Sequence, residues 1–165
     1  MAGTPRWEPE YCAFFTARRQ RYLRTAYAML GSWAAAEDAA QQTFTALYVR
    51  WPRIAEDRVE AYGRRVLVNT CIATYKRRGR EVLADEVPDV GVWEDHEQRL
   101  ALLAALADLS QRDRAVLALR FLEDLPVTEV AEVLGVAEGT VKSQTSRALA
   151  RLQAELDTTR KEPTT

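Results

Sequence analysis

Hydrophobic positions in residues 127–152 recur at helical spacing in two short runs with a glycine between them. Val127, Val130 and Leu134 share one face of the first run, while the opposite face is acidic. Gly135 follows the last of them, where a residue with positive φ ends a helix at little cost. The pattern predicts two helices joined by a tight turn.

The second of these helices has an apolar inner side and a polar outer side. Val141, Thr145, Ala148 and Leu152 fall at i, i+4, i+7 and i+11, which places them on one face. We name the outer side the recognition-helix face: Glu138, Gly139, Thr140, Lys142, Ser143, Ser146 and Arg147.

This face indicates duplex DNA, because Lys, Arg and Ser reach phosphate oxygens or base edges in a major groove. Glu138 is the one acidic residue of the recognition-helix face. It either interacts with the dipole at the start of the helix or accepts a hydrogen bond from a cytosine amine. The alternative interpretation of the two helices is an ordinary helical hairpin in a core. A glycine hinge combined with an unbroken polar face favours the helix-turn-helix.

The rest of the chain also shows helical periodicity, and no segment alternates as a strand does. Residues 10–50 predict two long helices separated by Gly31 and Ser32, the second ending before Pro52. Residues 52–59 predict a loop, and residues 60–78 predict a third helix with a strongly basic end. Helices resume near residue 97, with Ser110 as the expected N-cap of one of them. The predicted fold class is all-α.

Charge is divided unevenly along the 165 residues, although the net charge is only −1. Residues 1–80 carry 14 Lys and Arg against 7 Asp and Glu, a net of +7, whereas residues 81–108 carry 1 against 8, a net of −7. Such segmentation is typical of domains with different partners. We expect one helical domain in residues 1–80, an acidic linker in 81–98, a second helical domain in 99–157, and a frayed tail in 158–165.

Candidate catalytic and metal-binding groups are scarce. The sequence contains no P-loop, dinucleotide fingerprint or plausible nucleophile-base pair, so we expect neither an enzyme nor a cofactor. Cys12 and Cys71 lack a CxxC partner, and we expect small buried or half-buried side chains rather than a disulfide or zinc site. The acidic run around His96 is interpreted as solvated rather than metal-binding. Without a secretion signal or membrane span, the predicted location is cytoplasmic.

Three blocks, in order and in register, resemble bacterial RNA polymerase sigma factors of the extracytoplasmic-function type, over about residues 10–155. They are AEDAAQQTF at 36–44, LVNTCIATYKRRGR at 67–80, and the segment at 106–152 that contains LGVAEGTVKS. The finer similarity is to the SigE-like actinobacterial group. Three positions depart from the family pattern: Ala137 replaces a Ser or Thr N-cap, Thr74 replaces an Asp, and Tyr62 lies near the usual Trp.

The resemblance implies a promoter-specificity subunit with three working surfaces. The first binds the β′ clamp helices of core polymerase, whose β subunit is also a partner; we name it the acid-amide patch: Glu37, Asp38, Gln41, Gln42 and Phe44. The second binds the minus-10 element; we name it the basic face: Tyr62, Arg65, Asn69, Tyr75, Lys76, Arg77 and Arg78. The third is the recognition-helix face, which would read the minus-35 element.

Each assignment has a simpler alternative. Glu37 alone fits a solvated acidic first turn, and the last three cations of the basic face fit a helix C-terminus stabilised by the macrodipole. Asn69 and the loop at residues 53–58 are the candidates for holding an unpaired base. The acidic linker either enters a nucleic-acid channel of the polymerase or serves only as a soluble connection.

Two other functional classes compete with a sigma factor. An autonomous helix-turn-helix regulator would bind an operator as a dimer, but it does not account for the second DNA-facing domain. An enzyme with an appended DNA-binding domain lacks catalytic groups. An anti-sigma factor is a further candidate partner, because it would cover the same helical surfaces.

Overall fold

The computed structural model of the chain describes residues 3–78 and 96–161. Within these residues the chain forms seven α-helices and no strand, which confirms the predicted all-α fold. The helices are α1 (Glu8–Leu30), α2 (Trp33–Arg50), α3 (Val59–Arg78), α4 (His96–Ala107), α5 (Gln111–Leu117), α6 (Val127–Leu134) and α7 (Glu138–Lys161). We refer to α1–α3 as the N-terminal unit and to α4–α7 as the C-terminal unit.

The first break between helices forms where the sequence predicts it. Gly31 has a φ of 70°, and its N–H donates to the Tyr27 carbonyl at 2.8 Å, which ends α1. The hydroxyl of Ser32 then accepts from the Ala35 N–H at 3.2 Å and caps α2. Because the two residues supply one cap each, the chain reverses with only two residues outside the helices.

Aromatic rings fill the core of the N-terminal unit. Phe44 of α2 stacks on Tyr22 of α1, with ring centroids 5.2 Å apart, and meets Phe15 edge-on at 4.7 Å. Leu47 and Leu67 close the space between α2 and α3, and both are fully buried. Burial of this apolar surface is the main force that holds the three helices together.

The segment between α2 and α3 is more ordered than the predicted loop. It contains two short 3-10 turns, Trp51–Arg53 and Glu56–Arg58. The indole of Trp51 is buried and meets Tyr11 edge-on at 5.3 Å, so the chain is fixed to α1 directly after α2. A tryptophan next to the predicted helix end was the signal for this attachment.

Local caps also define the C-terminal unit. The hydroxyl of Ser110 accepts from the Asp113 N–H at 3.1 Å, which confirms the predicted N-cap of α5. A π-helical turn at Ala118–Leu122 continues α5. Gly135 has a φ of 67° and ends α6, as the helix-turn-helix pattern predicts.

Helix α7 continues to Lys161, beyond the point where the sequence predicts a frayed tail. Gln153 donates to Asp157 at 3.0 Å, and the Thr158 hydroxyl donates to the Ala154 carbonyl at 2.9 Å. Basic residues in the last turn also interact favourably with the helix dipole. These local interactions extend the helix over residues 158–161.

The two units pack directly against each other, which the division into two domains did not anticipate. Arg114 and Gln111 of α5 donate to the carbonyl of Met29, near the end of α1, at 2.7 Å and 2.8 Å. One hydrophobic cluster contains Leu67 of the N-terminal unit and Val130 of the C-terminal unit. The described residues therefore share a continuous core across the boundary.

Cysteine environments differ from the expectation at one position. Cys71 is buried, as predicted, but Cys12 is exposed because it lies on the outer side of α1, away from α2 and α3. Among the described residues neither cysteine is in a disulfide, and no group of metal-binding side chains occurs. The residues preceding His96 in the acidic run lie outside the described residues. None of the described helices is long and apolar enough to cross a bilayer.

Candidate nucleic-acid and partner surfaces

The recognition-helix face lies on the solvent side of α7. Val141 and Ala148 are fully buried against the rest of the C-terminal unit, which fixes the rotation of the helix. Except for Thr140, which is half-buried, every residue of the face is exposed. The polar residues thus project from a helix whose opposite side is anchored.

The start of α7 has a weaker cap than the start of α5. The N–H of Val141 donates to the Ala137 carbonyl at 3.2 Å, so Ala137 occupies the N-cap position. A methyl side chain supplies no acceptor for the free N–H groups of the first turn. Glu138 is exposed in that first turn, where a negative charge interacts favourably with the helix dipole.

The basic face divides into an accessible part beside α2 and a part that contacts the C-terminal unit. In the accessible part, Asn69 and Arg77 border a shallow groove of α3 together with Gln42 of α2. Lys76 is also exposed. Arg78 forms a salt bridge with Asp38, in which Nη2 and Oδ2 are 3.1 Å apart. This end of α3 presents an amide and cations beside the acid-amide patch.

The other part of the basic face contacts the C-terminal unit, and in it Tyr62 and Tyr75 are half-buried while Arg65 is exposed. Arg65 donates to the backbone carbonyl of Glu132 on α6 at 2.7 Å. The Tyr75 ring lies under the guanidinium of Arg114 of α5, which is 5.1 Å from the ring centroid. Tyr62 is half-buried in a small cleft that Glu132 also lines. These three side chains are engaged from across the boundary between the units.

The loop proposed to hold a base is also engaged. Arg58 pairs with the Glu132 carboxylate at 2.7 Å, and both side chains are largely exposed. Arg53 is exposed. The structure thus brings Arg58 close to α6 and places Asn69 in the groove of α3, rather than forming one pocket from the two.

The polar members of the acid-amide patch share the exposed side of α2. Glu37, Asp38, Gln41 and Gln42 are all exposed. Asp38, Gln41 and Gln42 line a broad, open groove that continues along α2 to Val49. The arrangement suits a partner with cationic side chains and an apolar contact.

Phe44 corrects the prediction for this patch. It is only 3% exposed and packs between Phe15 and Tyr22, so its ring is not available as an apolar anchor for a partner. Phe44 follows Glu37 by seven residues, on the same side of α2, but there α1 covers that side. The exposed apolar residue of the groove is Val49, at 71% exposure. Its spacing of eleven residues from Asp38 was the signal that identifies it.

A second ion-pair network crosses the N-terminal unit and reaches the C-terminal unit. Arg18 of α1 donates from its Nε to Glu60 of α3 at 2.7 Å, and this hydrogen bond raises the pKa of Arg18. Arg64 lies 3.4 Å from the other oxygen of Glu60 and donates to Glu123 at 3.2 Å. Sequence periodicity missed Glu123, because its partners lie 59 or more positions away.

Comparisons with known proteins match both units. The family described as "Sigma-70 region 2" matches residues 14–81, and "Sigma-70, region 4" matches residues 99–152. An "RNA polymerase sigma-E factor" of Streptomyces antibioticus is 36% identical over 154 residues, which cover 90% of this chain and 86% of that protein. The chain belongs to the extracytoplasmic-function group of the sigma-70 family. The protein of the same name from Streptomyces coelicolor is 34% identical, over 89% of this chain and 86% of its own.

Solved sigma-factor structures have the same fold across both units. The sigma factor RpoE of Bartonella quintana, solved with the anti-sigma factor NepR, superposes with a TM-score of 0.77 at 21% identity, over 90% of this chain and 97% of that one. CnrH, solved with the cytosolic domain of CnrY, gives 0.72 at 23% identity, over 92% and 90%. The likeness therefore extends over regions 2 and 4 together.

Proposed function

We propose that this chain is an alternative sigma factor, which binds core RNA polymerase and directs initiation at promoters with particular minus-10 and minus-35 elements. The observation that carries the proposal is the presence of regions 2 and 4, in that order, within one chain. A regulator that binds an operator alone has no use for region 2. The interpretation as an operator-binding regulator therefore leaves the N-terminal unit unexplained.

The recognition-helix face supplies the proposed minus-35 contacts. Lys142 and Arg147 are exposed on this face, five residues apart in the sequence. Ser143 and Ser146 lie between them and are also exposed. Cations bind phosphate oxygens and position the helix, while hydroxyls and the Glu138 carboxylate reach base edges. Gly139 has open space around its Cα, so the DNA backbone has room to approach the start of the helix.

The basic face supplies the proposed minus-10 contacts. Strand opening needs aromatic surfaces for unstacked bases, an amide for a base edge, and cations for the backbone. Tyr62 and Tyr75 offer the aromatic surfaces, Asn69 the amide, and Lys76 and Arg77 the cations. The groove that Asn69 and Arg77 border is open to solvent and runs along α3.

The exposed side of α2 is the proposed contact for the β′ clamp helices. The polar members of the acid-amide patch would pair with basic side chains of the clamp, and Val49 would supply the apolar contact. Sigma factors are not enzymes, and we propose no catalytic group and no cofactor for this chain. As a subunit of the polymerase it would act in the cytoplasm.

An anti-sigma factor is a further proposed partner. The C-terminal unit and α1 enclose an apolar groove of about 240 Å³, lined by Tyr27, Leu103, Leu106, Leu122 and Leu149 among others. The sigma factor RpoE, which shares this fold, was solved with the anti-sigma factor NepR. An amphipathic helix would fill a groove of this kind with its apolar face.

Reconstituted transcription tests the proposed function. Purified chain added to core polymerase should produce transcripts that start at defined promoters, mapped by sequencing of the 5′ ends. If the chain fails to bind core polymerase but binds DNA as a dimer, the operator-binding regulator is the correct interpretation instead.

Substitutions on α7 test the minus-35 assignment separately. Lys142→Ala with Arg147→Ala should reduce binding to minus-35 duplex and lower its salt dependence by about one unit of slope per side chain, without affecting core binding. Arg160→Ala is the matched control, because Arg160 is an exposed cation on the same helix beyond the region 4 match. Equal loss of DNA and core binding would contradict the assignment.

A further inference from the structure

The segment that precedes α1 packs against the C-terminal end of α2. The Glu8 N–H donates to the Pro5 carbonyl at 3.1 Å, so residues 5–8 form a turn that leads into α1. The Trp7 ring of this turn lies against Tyr48 of α2, with centroids 4.9 Å apart and ring planes at 64°. The region 2 match begins only at residue 14. Trp7 is therefore a feature of this chain that the family match does not include.

Further contacts hold the rings at this end of α2 in place. The Tyr11 hydroxyl donates to the Phe44 carbonyl at 2.8 Å, which attaches the Tyr11 side chain to α2. The Tyr11 ring meets Tyr48 edge-on at 5.0 Å and Trp51 edge-on at 5.3 Å. We name the aromatic rim: Trp7, Tyr11 and Tyr48. Because these rings are already ordered, little conformational entropy is lost when a partner binds them.

The aromatic rim and its neighbour leave apolar surface open to solvent. Tyr48 is 37% exposed, the adjacent Val49 is 71% exposed, and Trp7 is half-buried. Five large apolar side chains are exposed among the described residues, and these two are next to each other in the chain. Single exposed apolar residues need no explanation, whereas apolar groups that lie together indicate an interaction surface.

This apolar surface continues the groove of α2. The groove extends from Asp38 to Val49 and Arg50, and Tyr48 lies beside that end. From Asp38 to Val49 the helix rises about 17 Å. A stable interface of standard size covers about 800 Å² on each partner, which corresponds to a disc about 32 Å across. The groove alone is too short for a contact of that size, and the aromatic rim extends it at its apolar end.

Charges of both signs surround the aromatic rim. Arg6, Arg50 and Arg53 are exposed, and Glu8 and Glu10 lie in the first turn of α1. A nucleic-acid backbone selects for cations, whereas an apolar centre with a polar margin is the usual composition of a protein interface. Trp, Tyr and Arg are also the residue types that dominate the binding energy of such interfaces. The rim therefore fits a protein partner better than single-stranded DNA.

We propose that the aromatic rim is a second part of the interface with core polymerase, with Trp7 and Tyr48 as apolar anchors beyond the acid-amide patch. The inference rests on the proposed function of the chain as a sigma factor. In this arrangement the acid-amide patch pairs with cations of the polymerase, and Val49 joins the patch to the rim. The rim then packs on apolar side chains of the polymerase, which a half-exposed pair of rings suits.

Equilibrium binding of the full chain to core polymerase tests the aromatic rim. Trp7→Ala and Tyr48→Ala should each weaken binding at least tenfold, and Trp7→Phe, which keeps a ring, should lose less than Trp7→Ala. Leu100→Ala is the matched control, because Leu100 is 36% exposed but lies on α4 and does not line the groove of α2. Binding that is unchanged in both rim variants, or lost equally in Leu100→Ala, would overturn the proposal.

A crosslink tests proximity in a chain that keeps an aromatic ring at position 7. Benzoylphenylalanine replaces Trp7, and the chain is assembled with core polymerase on promoter DNA and irradiated. The adduct should contain a polymerase subunit, identified by mass spectrometry. A crosslink only to DNA, only to a second copy of the chain, or to nothing would overturn the proposal. This result decides the question even where an alanine variant fails to fold.

Binding to single-stranded DNA separates the remaining alternative. Trp7→Ala should bind a fluorescent minus-10 single strand within about twofold of the unaltered chain, because the rim is assigned to a protein partner. A large loss of this binding with core binding unchanged would assign the rim to stacking on unpaired bases instead.

The proposed function and the aromatic rim fail in different ways. If the unaltered chain does not bind core polymerase, the proposed function is wrong and the rim assignment falls with it. If the unaltered chain binds core polymerase and starts transcripts, while Trp7→Ala and Tyr48→Ala bind equally well, only the rim assignment is wrong.

Discussion

Gly63 of α3 lies directly against the hydroxyl group of Tyr22 of α1, so that a methyl group at position 63 would overlap the phenol. Tyr22 is completely buried and cannot swing away into solvent. Burial also raises the pKa of Tyr22 far above its ordinary value, so its phenol stays neutral. Within the described residues the Tyr22 oxygen has no hydrogen-bond partner, which makes it a steric group rather than a polar contact here.

The Gly63 contact gives the first prediction. Gly63→Ala should lower the free energy of unfolding by about 1–3 kcal/mol, because overpacking outweighs the gain in helix propensity. Tyr22→Phe alone should cost little, since it removes a buried oxygen without a partner. The double variant should recover part of the loss, measured by urea unfolding. Additive effects of the two substitutions would show that the contact does not exist.

Alanine substitutions at Phe44 and Val49 of α2 should distinguish an effect on stability from an effect on partner binding. Phe44→Ala should lower the free energy of unfolding by about 3–5 kcal/mol, because it empties a site between Phe15 and Tyr22. Val49→Ala should leave stability within about 0.5 kcal/mol, because Val49 is exposed, but it should weaken binding to core polymerase. Calorimetry and a core-binding assay check the two effects. Weaker core binding by Phe44→Ala at a temperature where it is fully folded would restore Phe44 as an anchor.

The N-cap of α7 can be improved. Ala137→Ser should raise the free energy of unfolding by about 1 kcal/mol, because the hydroxyl accepts from a free N–H of the first turn. The same substitution at Ala150, exposed in the middle of α7, should give no gain and serves as the control. Thermal unfolding of both variants measures the difference. A gain at Ala150 equal to that at Ala137 would exclude capping as the cause.

Alkaline pH should destabilise the fold through Cys71. Burial raises the pKa of this thiol from 9.0 to about 12, so the unfolded chain loses a proton at lower pH than the folded chain does. The associated stability is complete below pH 9 and falls as pH rises toward 12, by about 1.4 kcal/mol per pH unit.

Urea unfolding at pH 8 and pH 10 measures this loss. Cys71→Ala should reduce the difference between the two pH values by about 1 kcal/mol. The corresponding change at exposed Cys12 is the control and should leave the difference as it is. A thiol reagent should also modify Cys12 in the native chain and Cys71 only after unfolding.

Local signals predicted the fold well because their physical causes lie within a few residues. Gly31 and Gly135 end helices through a positive φ, and Ser110 caps α5 through its own hydroxyl. Each of these features depends on one residue and its nearest neighbours in the chain. The helices therefore begin and end close to where the sequence indicates.

The helical periodicity of the sequence does not show which helices pack against each other. Helical spacing placed Phe44 beside Glu37, but only the position of α1 decides which part of that side is covered. In the same way, Glu123 gains its role from Thr25 and Arg64, which are 98 and 59 positions away. The residue types at such positions are visible in a sequence, whereas their partners are not.

Helix α7 is a single rod of 24 residues, about 36 Å long. Its first ten residues carry the recognition-helix face, and Leu149 and Leu152, which follow them near the middle of the helix, form a wall of the apolar groove. A partner that fills the groove thus contacts α7 near its middle, directly after the recognition-helix face. Because α7 is one continuous helix, a protein bound in the groove can reorient the recognition-helix face without contacting any of its residues.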